Sequence, residues 1–271
     1  MTDVIKVGYA GRIATITIDN EKKLNALGFD GYYGIAKALL DIAKRDDIYI
    51  TILTGKGRYF SAGADVSLSD KKSGAADQDS YRVWLRDFVS NNLNLTRALY
   101  THPKILIAAL NGPAVGLSAA ITAFADFVYV APHTFLLMPF SSLGLVAEGG
   151  ASHAMVQRLG ISKANEALIQ SKRVTCEDLL KTGFANKVFE CEKGDSEGFM
   201  RQVMKEIDDS MGDHLNSDSL LGIKALIQRP NIEILERQNV AEVFAGLDRF
   251  VKGVPLEEFE KIASGKKRHK L

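Results

Sequence analysis

Cysteine is scarce in this chain of 271 residues: Cys176 and Cys191 stand alone, with no CxxC pair and no histidine cluster beside them. That pattern argues against both a disulfide framework and a zinc site, and reads as free thiols in a reducing compartment. His102, His133, His153 and His214 are scattered without metal-ligand spacing, so no metal is expected. No run approaches the roughly 18 apolar residues needed to cross a bilayer. The segment Met1-Thr2-Asp3-Val4-Ile5-Lys6 also lacks the basic stretch followed by an apolar one that marks a secretory signal. A net charge of only +1 gives no electrostatic reason to expect nucleic acid or an anionic membrane as partner. What remains, 46% hydrophobic and 25% charged residues, is the composition of a globular protein long enough to bury a substantial core.

The hydrophobic pattern alternates between strand and helix. Ile5–Tyr9 and Ile13–Ile18 are β-branched runs separated by Ala10-Gly11-Arg12, which predicts a hairpin. Apolar residues at helical spacing predict a helix from Phe29 to Ala43, followed by a buried strand over Ile48–Leu53. The same sequence of elements recurs as a helix over Ser80–Tyr100 and a strand over Ile105–Leu110, then a helix over Val115–Phe124 and a strand over Phe127–Val130. Strand, helix, strand implies parallel crossover units. From Ser196 onward helices are expected at 196–211, 217–228 and 231–251. The Ser-, Asp-, Lys- and Gly-rich segment 67–78 reads as a mobile loop. No fixed internal repeat is evident.

Two turns and one acid carry the chemistry. Gly55–Asp65 follows one buried strand, and Asn111–Ala120 follows another and opens a helix. At such a helix start, free N–H groups and the dipole favour negative charge, and small residues let a ligand approach the backbone. Glu148 is the lone charge in Leu143-Gly144-Leu145-Val146-Ala147-Glu148-Gly149-Gly150. A carboxylate in apolar surroundings is either paired or kept as a base of raised pKa. The plainer alternative is an acid that opens a helix, where the dipole favours it.

Leu24-Asn25-Ala26, Phe60-Ser61-Ala62-Gly63-Ala64-Asp65, Asn111-Gly112-Pro113-Ala114-Val115-Gly116, Ala125-Asp126 and Gly144–Gly150 occur together in one order. On these residues the chain resembles the crotonase, or enoyl-CoA hydratase/isomerase, superfamily over roughly residues 5–190. The resemblance implies an α/β fold with a ββα spiral core, here residues 1–195, and a C-terminal helical layer, residues 196–271, at subunit contacts in a trimer or hexamer. It implies an acyl-CoA substrate, with CoA part of the substrate and no further cofactor. It also implies an oxyanion hole whose donors are the backbone N–H groups of Ala64 and Leu117, within a substrate-binding segment Ala62, Gly63, Ala64, Asp65 and Val66. Such donors meet the charge of an enolate, and each can be worth roughly 2.7 to 4 kcal/mol in the transition state.

The acids decide which reaction the resemblance implies. The family's hydratases use two glutamates, and their slots fall here on Ala120 and Phe140, neither of which transfers protons. The dienoyl-CoA isomerases pair an acid at the slot of Phe140 with an aspartate at the slot of Glu148. The mitochondrial-type enoyl-CoA isomerases also use the slot of Phe140. Peroxisomal fungal Δ3,Δ2-enoyl-CoA isomerases instead carry one glutamate followed by Gly-Gly, the pattern of Glu148-Gly149-Gly150. The expectation is therefore a Δ3,Δ2-enoyl-CoA isomerase of fatty-acid β-oxidation in which Glu148 moves a proton from C2 to C4. A dienoyl-CoA isomerase, a hydratase of the same fold and a non-catalytic acyl-CoA-binding protein are the competing readings.

Asn92 matches an asparagine of the peroxisomal isomerases that would orient Glu148 by a hydrogen bond, against the plainer reading of a solvated helix residue. Asp65 reads either as substrate contact or as cap of the following segment. Lys22 and Lys23 are candidates for the CoA phosphates, against a solvated face. The C-terminal His269-Lys270-Leu271 resembles a variant of the Ser-Lys-Leu address read by a peroxisomal import receptor, against a solvated basic tail.

Overall fold

The computed structural model describes residues 4–65 and 79–267. In chain order the elements are β1 (Ile5–Ala10), β2 (Ile13–Ile18), α1 (Phe29–Ala43), β3 (Ile50–Gly55), α2 (Ser80–Trp84), α3 (Ser90–Tyr100), β4 (Ile105–Leu110), β5 (Ala114–Val115), α4 (Leu117–Ala120), β6 (Phe127–Val130), β7 (Phe135–Leu137), α5 (Ala151–Leu159), α6 (Ile161–Leu168), β8 (Val174–Thr175), α7 (Cys176–Lys181), β9 (Lys187–Val188), α8 (Ser196–Met211), α9 (Ser217–Val251) and α10 (Val254–Ala263). The expected mobile loop, the substrate-binding candidate Val66 and the C-terminal tripeptide lie outside the described residues.

Six strands form the main sheet in the order β1-β2-β3-β4-β6-β9. β1 and β2 pair antiparallel from Ile5 opposite Ile18 to Ala10 opposite Ile13, and the remaining neighbours run parallel. A second, small sheet has the order β5-β7-β8. Side chains alternate between faces along a strand, and here both faces of the sheet are covered. Ile16, Leu53, Leu106 and Ala108 meet Ile35, Leu39 and Ile42 of α1 and Leu95 and Leu99 of α3. On the other face Ile50, Ile52, Ile105 and Ile107 meet Phe199, Val203, Ile207 and Met211 of α8. Two-sided burial explains why every residue of β3 and β4 is buried and why β4 is a continuous apolar run.

Several expected boundaries move. The third strand begins at Ile50 rather than Ile48 and runs on to Gly55. The helical run from Ser80 widens into a π-turn across Leu85–Val89 before α3; such one-residue insertions often occur at functional sites. The predicted helix over 115–124 is a two-residue strand, a four-residue helix and a 3-10 turn, because Gly116 adopts φ 62° and breaks the run. The two helices predicted on either side of Pro230 are one 35-residue helix, α9, with Pro230 inside it. Proline removes one backbone hydrogen bond there, yet Leu235, Val243 and Leu247 beyond it are buried. Packing outweighs the local penalty.

Candidate active site

The two donor turns are joined by buried polar side chains. Asn25, held at φ 59°, donates from Nδ2 to the carbonyls of Lys56 (2.8 Å) and Tyr59 (2.7 Å). Its own carbonyl accepts from Ser61 Oγ at 2.8 Å. Ser61 Oγ accepts in turn from Gly63 N–H (3.1 Å) and lies 2.9 Å from Ser118 Oγ, which lies 3.1 Å from the Tyr32 hydroxyl. Asn111 accepts from Gly55 N–H (3.1 Å) and donates to the Gly57 carbonyl (2.7 Å). The Asn and Ser of these motifs are thus fasteners, each satisfying backbone groups that the turns leave unpaired.

This bracing leaves two N–H groups at one cavity without an acceptor among the described residues. Leu27 N–H donates to the Gly63 carbonyl and Asp65 N–H to the Leu27 carbonyl, both at 2.9 Å, so the Ala64 N–H between them points away from that pairing. Leu117 is the first residue of α4, where an N–H has no partner within the helix. Among the described residues neither N–H has a protein acceptor. Ala64 and Leu117 line one cavity together with Tyr32, Asn92 and Glu148. Its far wall is apolar: Trp84, Phe88, Phe250, Leu256 and Phe259, with the Trp84 and Phe250 rings stacked at 4.4 Å between centroids.

Glu148 enters this cavity from the turn before α5. Asn92 Nδ2 donates to its Oε2 at 2.8 Å, while the Asn92 carbonyl accepts from Thr96 Oγ1 at 3.3 Å, which fixes the amide orientation. Asn92 is buried, so it is not a solvated helix residue. Glu148 is half-buried where it lines the cavity. Burial is the largest influence on it, the charge of Glu242 adds to that, and the Asn92 hydrogen bond opposes both. The outcome is a carboxyl pushed up to about 8. Ala120 and Phe140, the positions that the resemblance matches to the hydratase glutamates, are both buried in the core.

Glu148 does not cap the helix it precedes. That work falls to Glu242 on α9, which accepts from Gly150 N–H at 2.6 Å and Ser152 N–H at 2.8 Å. Nothing in the local sequence pairs residue 242 with residue 150, and α9 offers only a helical acid among many. Tyr32 and Ser118 were likewise invisible as site residues, since a tyrosine on an apolar helix face reads as core. Of the other candidates, Asp65 lines the cavity and meets Lys23 Nζ at 2.6 Å. Lys22 is exposed and outside the cavity wall, and Ala62 donates its N–H to the Leu24 carbonyl at 2.9 Å. Gly63, at φ 90°, has no room for a Cβ, which would fall 2.9 Å from the Val115 carbonyl oxygen.

The profile of the family described as enoyl-CoA hydratase/isomerase matches residues 8–218. The chain belongs to that family. Within it, the chain is 59% identical over the full length of both sequences to the Δ(3,5)-Δ(2,4)-dienoyl-CoA isomerase of Pyricularia oryzae. It is 34% identical to the 3,2-trans-enoyl-CoA isomerase of Saccharomyces cerevisiae, covering 98% of this chain and 97% of that one. The fold matches that of an enoyl-CoA hydratase/isomerase from Pseudoalteromonas atlantica, with a TM-score of 0.83 over 99% of this chain and 100% of the other at 22% identity. The crotonase fold and its C-terminal helices are therefore those of this family.

Proposed function

We propose that this isomerase shifts the double bond of a 3-enoyl-CoA to C2, with Glu148 as its single acid/base group. The observation that carries the reading is the placement of Glu148. Of the two acids lining the described cavity, Asp65 is matched by Lys23, whereas Glu148 is held by a neutral amide in the cavity that Ala64 and Leu117 also line. In the proposed step the Glu148 carboxylate takes a proton from C2, and the electron pair moves onto the thioester oxygen. Ala64 and Leu117 N–H groups stabilise the resulting dienolate. The protonated Glu148 then returns a proton to C4, the C2=C3 bond forms and the carbonyl is restored. No water is activated. A group titrating near 8 suits both halves of that exchange.

A second reading has its own support, the 59% identity to a protein named a dienoyl-CoA isomerase. Both reactions share C2 deprotonation and differ in where the proton returns, to C4 or to C6. The described wall beyond Glu148 is apolar, which favours the nearer carbon. Rates on 3-enoyl-, 3,5-dienoyl- and 2-enoyl-CoA separate the readings: a higher kcat/KM on 3,5-dienoyl-CoA would replace the first with the second, and hydration of 2-enoyl-CoA would overturn both. Binding of acyl-CoA without C2 proton exchange in deuterated water would leave a non-catalytic binding protein.

Three further parts of the reading follow from the resemblance. Lys22 and Lys23 are proposed to meet the CoA phosphates, Lys23 by exchanging its Asp65 partner. His269-Lys270-Leu271 is proposed as the address that takes the protein to the peroxisome, and removing Lys270-Leu271 should leave a tagged protein in the cytosol. The exposed Ile223, Leu226 and Ile227 of α9 support assembly into a trimer or hexamer.

A further inference from the structure

Glu242 is a carboxyl buried to 6% exposure, with no ion pair among the described residues, in the wall behind the catalytic turn. It does not line the substrate cavity. Its two oxygens are both engaged, Oε2 by Gly150 N–H and Oε1 by Ser152 N–H. One turn earlier on α9, Gln238 Nε2 donates to Ser152 Oγ at 3.2 Å. The turn Glu148-Gly149-Gly150 is thereby fastened from α9 on one side while Asn92 holds the Glu148 carboxyl from α3 on the other. Both glycines sit at positive φ, 69° and 70°, a conformation that by itself gives the turn no rigidity. The rigidity comes from the clamp.

We propose that Glu242 is a positioning residue of the reaction: its anionic carboxylate, fixed on the N–H groups of Gly150 and Ser152, holds the turn that presents Glu148 and places a negative charge behind it. The inference rests on Glu148 as the base. The arrangement is costly in stability, because a second buried carboxylate without a cation is unfavourable, and an uncharged side chain would cap α5 without placing charge near Glu148. Burial raises Glu242 itself, and its hydrogen bonds from Ser152 and Gly150 oppose that by favouring the anion; in that form its charge raises Glu148, in the same direction as burial and against the Asn92 hydrogen bond.

The other titratable groups around the turn are accounted for. α1 presents Tyr32, and the first donor turn presents Asp65 with Lys23. α9 also supplies Arg249, whose Nε donates to the Gly144 carbonyl at 2.7 Å, and α10 supplies Glu258, paired with Lys261 at 2.6 Å. α3 offers the neutral Asn91 and Asn92. His153 on α5 lines a different cavity.

The test is the titration of Glu148 in Glu242→Gln, read in two ways: the acid limb of kcat/KM on the preferred substrate, and the carboxylic C=O infrared band that Glu148→Gln abolishes. The amide keeps an acceptor at the clamp and removes the charge. Both midpoints should fall by roughly half a pH unit to one unit, and the plateau rate should drop roughly three- to tenfold as the turn loosens. A folded Glu242→Gln protein with both midpoints where the wild type has them overturns the proposal. Glu242→Asp keeps the charge but withdraws it by one methylene; it should lose rate while its midpoint stays within a few tenths of a unit of the wild type. An Asp variant that matches the wild type in rate overturns the clamp even if Glu242→Gln does not fold. The infrared band needs no turnover, so an enzyme inactive on every acyl-CoA would refute the functional reading separately.

Discussion

A carboxyl that titrates near 8 makes opposite demands on activity and on stability. In the proposed mechanism the free enzyme must carry Glu148 as carboxylate, so kcat/KM should rise with pH to a plateau above about 8. Stability runs the other way. Because the folded pKa lies above the unfolded value of 4.5, the folded state binds the extra proton between those values; the contribution is fully present below 4.5 and is lost as pH rises through 8. Glu148→Gln should therefore lose roughly 10²- to 10⁴-fold in kcat while its Tm advantage over wild type grows from pH 5 to pH 9. Equal turnover in Glu148→Gln would remove the one-base mechanism. Asn92→Ala deletes a hydrogen bond that favours the Glu148 anion, so its acid limb should move to higher pH, which a pH–rate profile reads directly.

At the level of elements, the catalytic turn and α4 constrain each other. A Cβ on Gly149 would fall 2.6 Å from Leu117 Cδ1, and one on Gly150 2.6 Å from Phe124 Cζ. Gly149→Ala therefore presses on Leu117, whose N–H is the proposed oxyanion donor, and forces a left-handed conformation costing roughly 1 to 2 kcal/mol. It should lower Tm and cut kcat more than it raises KM; a variant with wild-type kcat would show that the turn tolerates displacement. The sequence made α1, the β1–β2 hairpin and β4 legible because their periodicity coincides with what they bury. It misplaced α4 because Gly116 takes a conformation that no periodicity reports. It split α9 at Pro230 because local propensity opposes what burial of Leu235, Val243 and Leu247 imposes.

For the whole molecule, the face of the sheet packed on α8 is expected to serve stability rather than chemistry. Phe199→Ala, on the face opposite the site, should cost roughly 3 to 5 kcal/mol in denaturant unfolding and leave the Glu148 infrared midpoint in place; a moved midpoint would mean that the two faces are coupled. Assembly belongs to the same scale. Light scattering on the purified protein should give three or six times the chain mass of 29.6 kDa, and a monomer would remove the oligomer from the proposed function.

Sequence alone determined the parts of this protein whose residues act locally. The glycines and asparagines of the donor turns can serve few other backbone purposes, a lone acid in an apolar run must be paired or perturbed, and Ala120 and Phe140 cannot transfer protons wherever they sit. Only the tertiary structure decided what surrounds that acid. Asn92 reaches it from α3, Ser61 and Ser118 brace the two turns against each other, and Glu242 arrives from α9 to cap α5 and leave Glu148 free. These contacts join residues tens of positions apart, and burial, not spacing, brings them together and sets the proton affinity of the site.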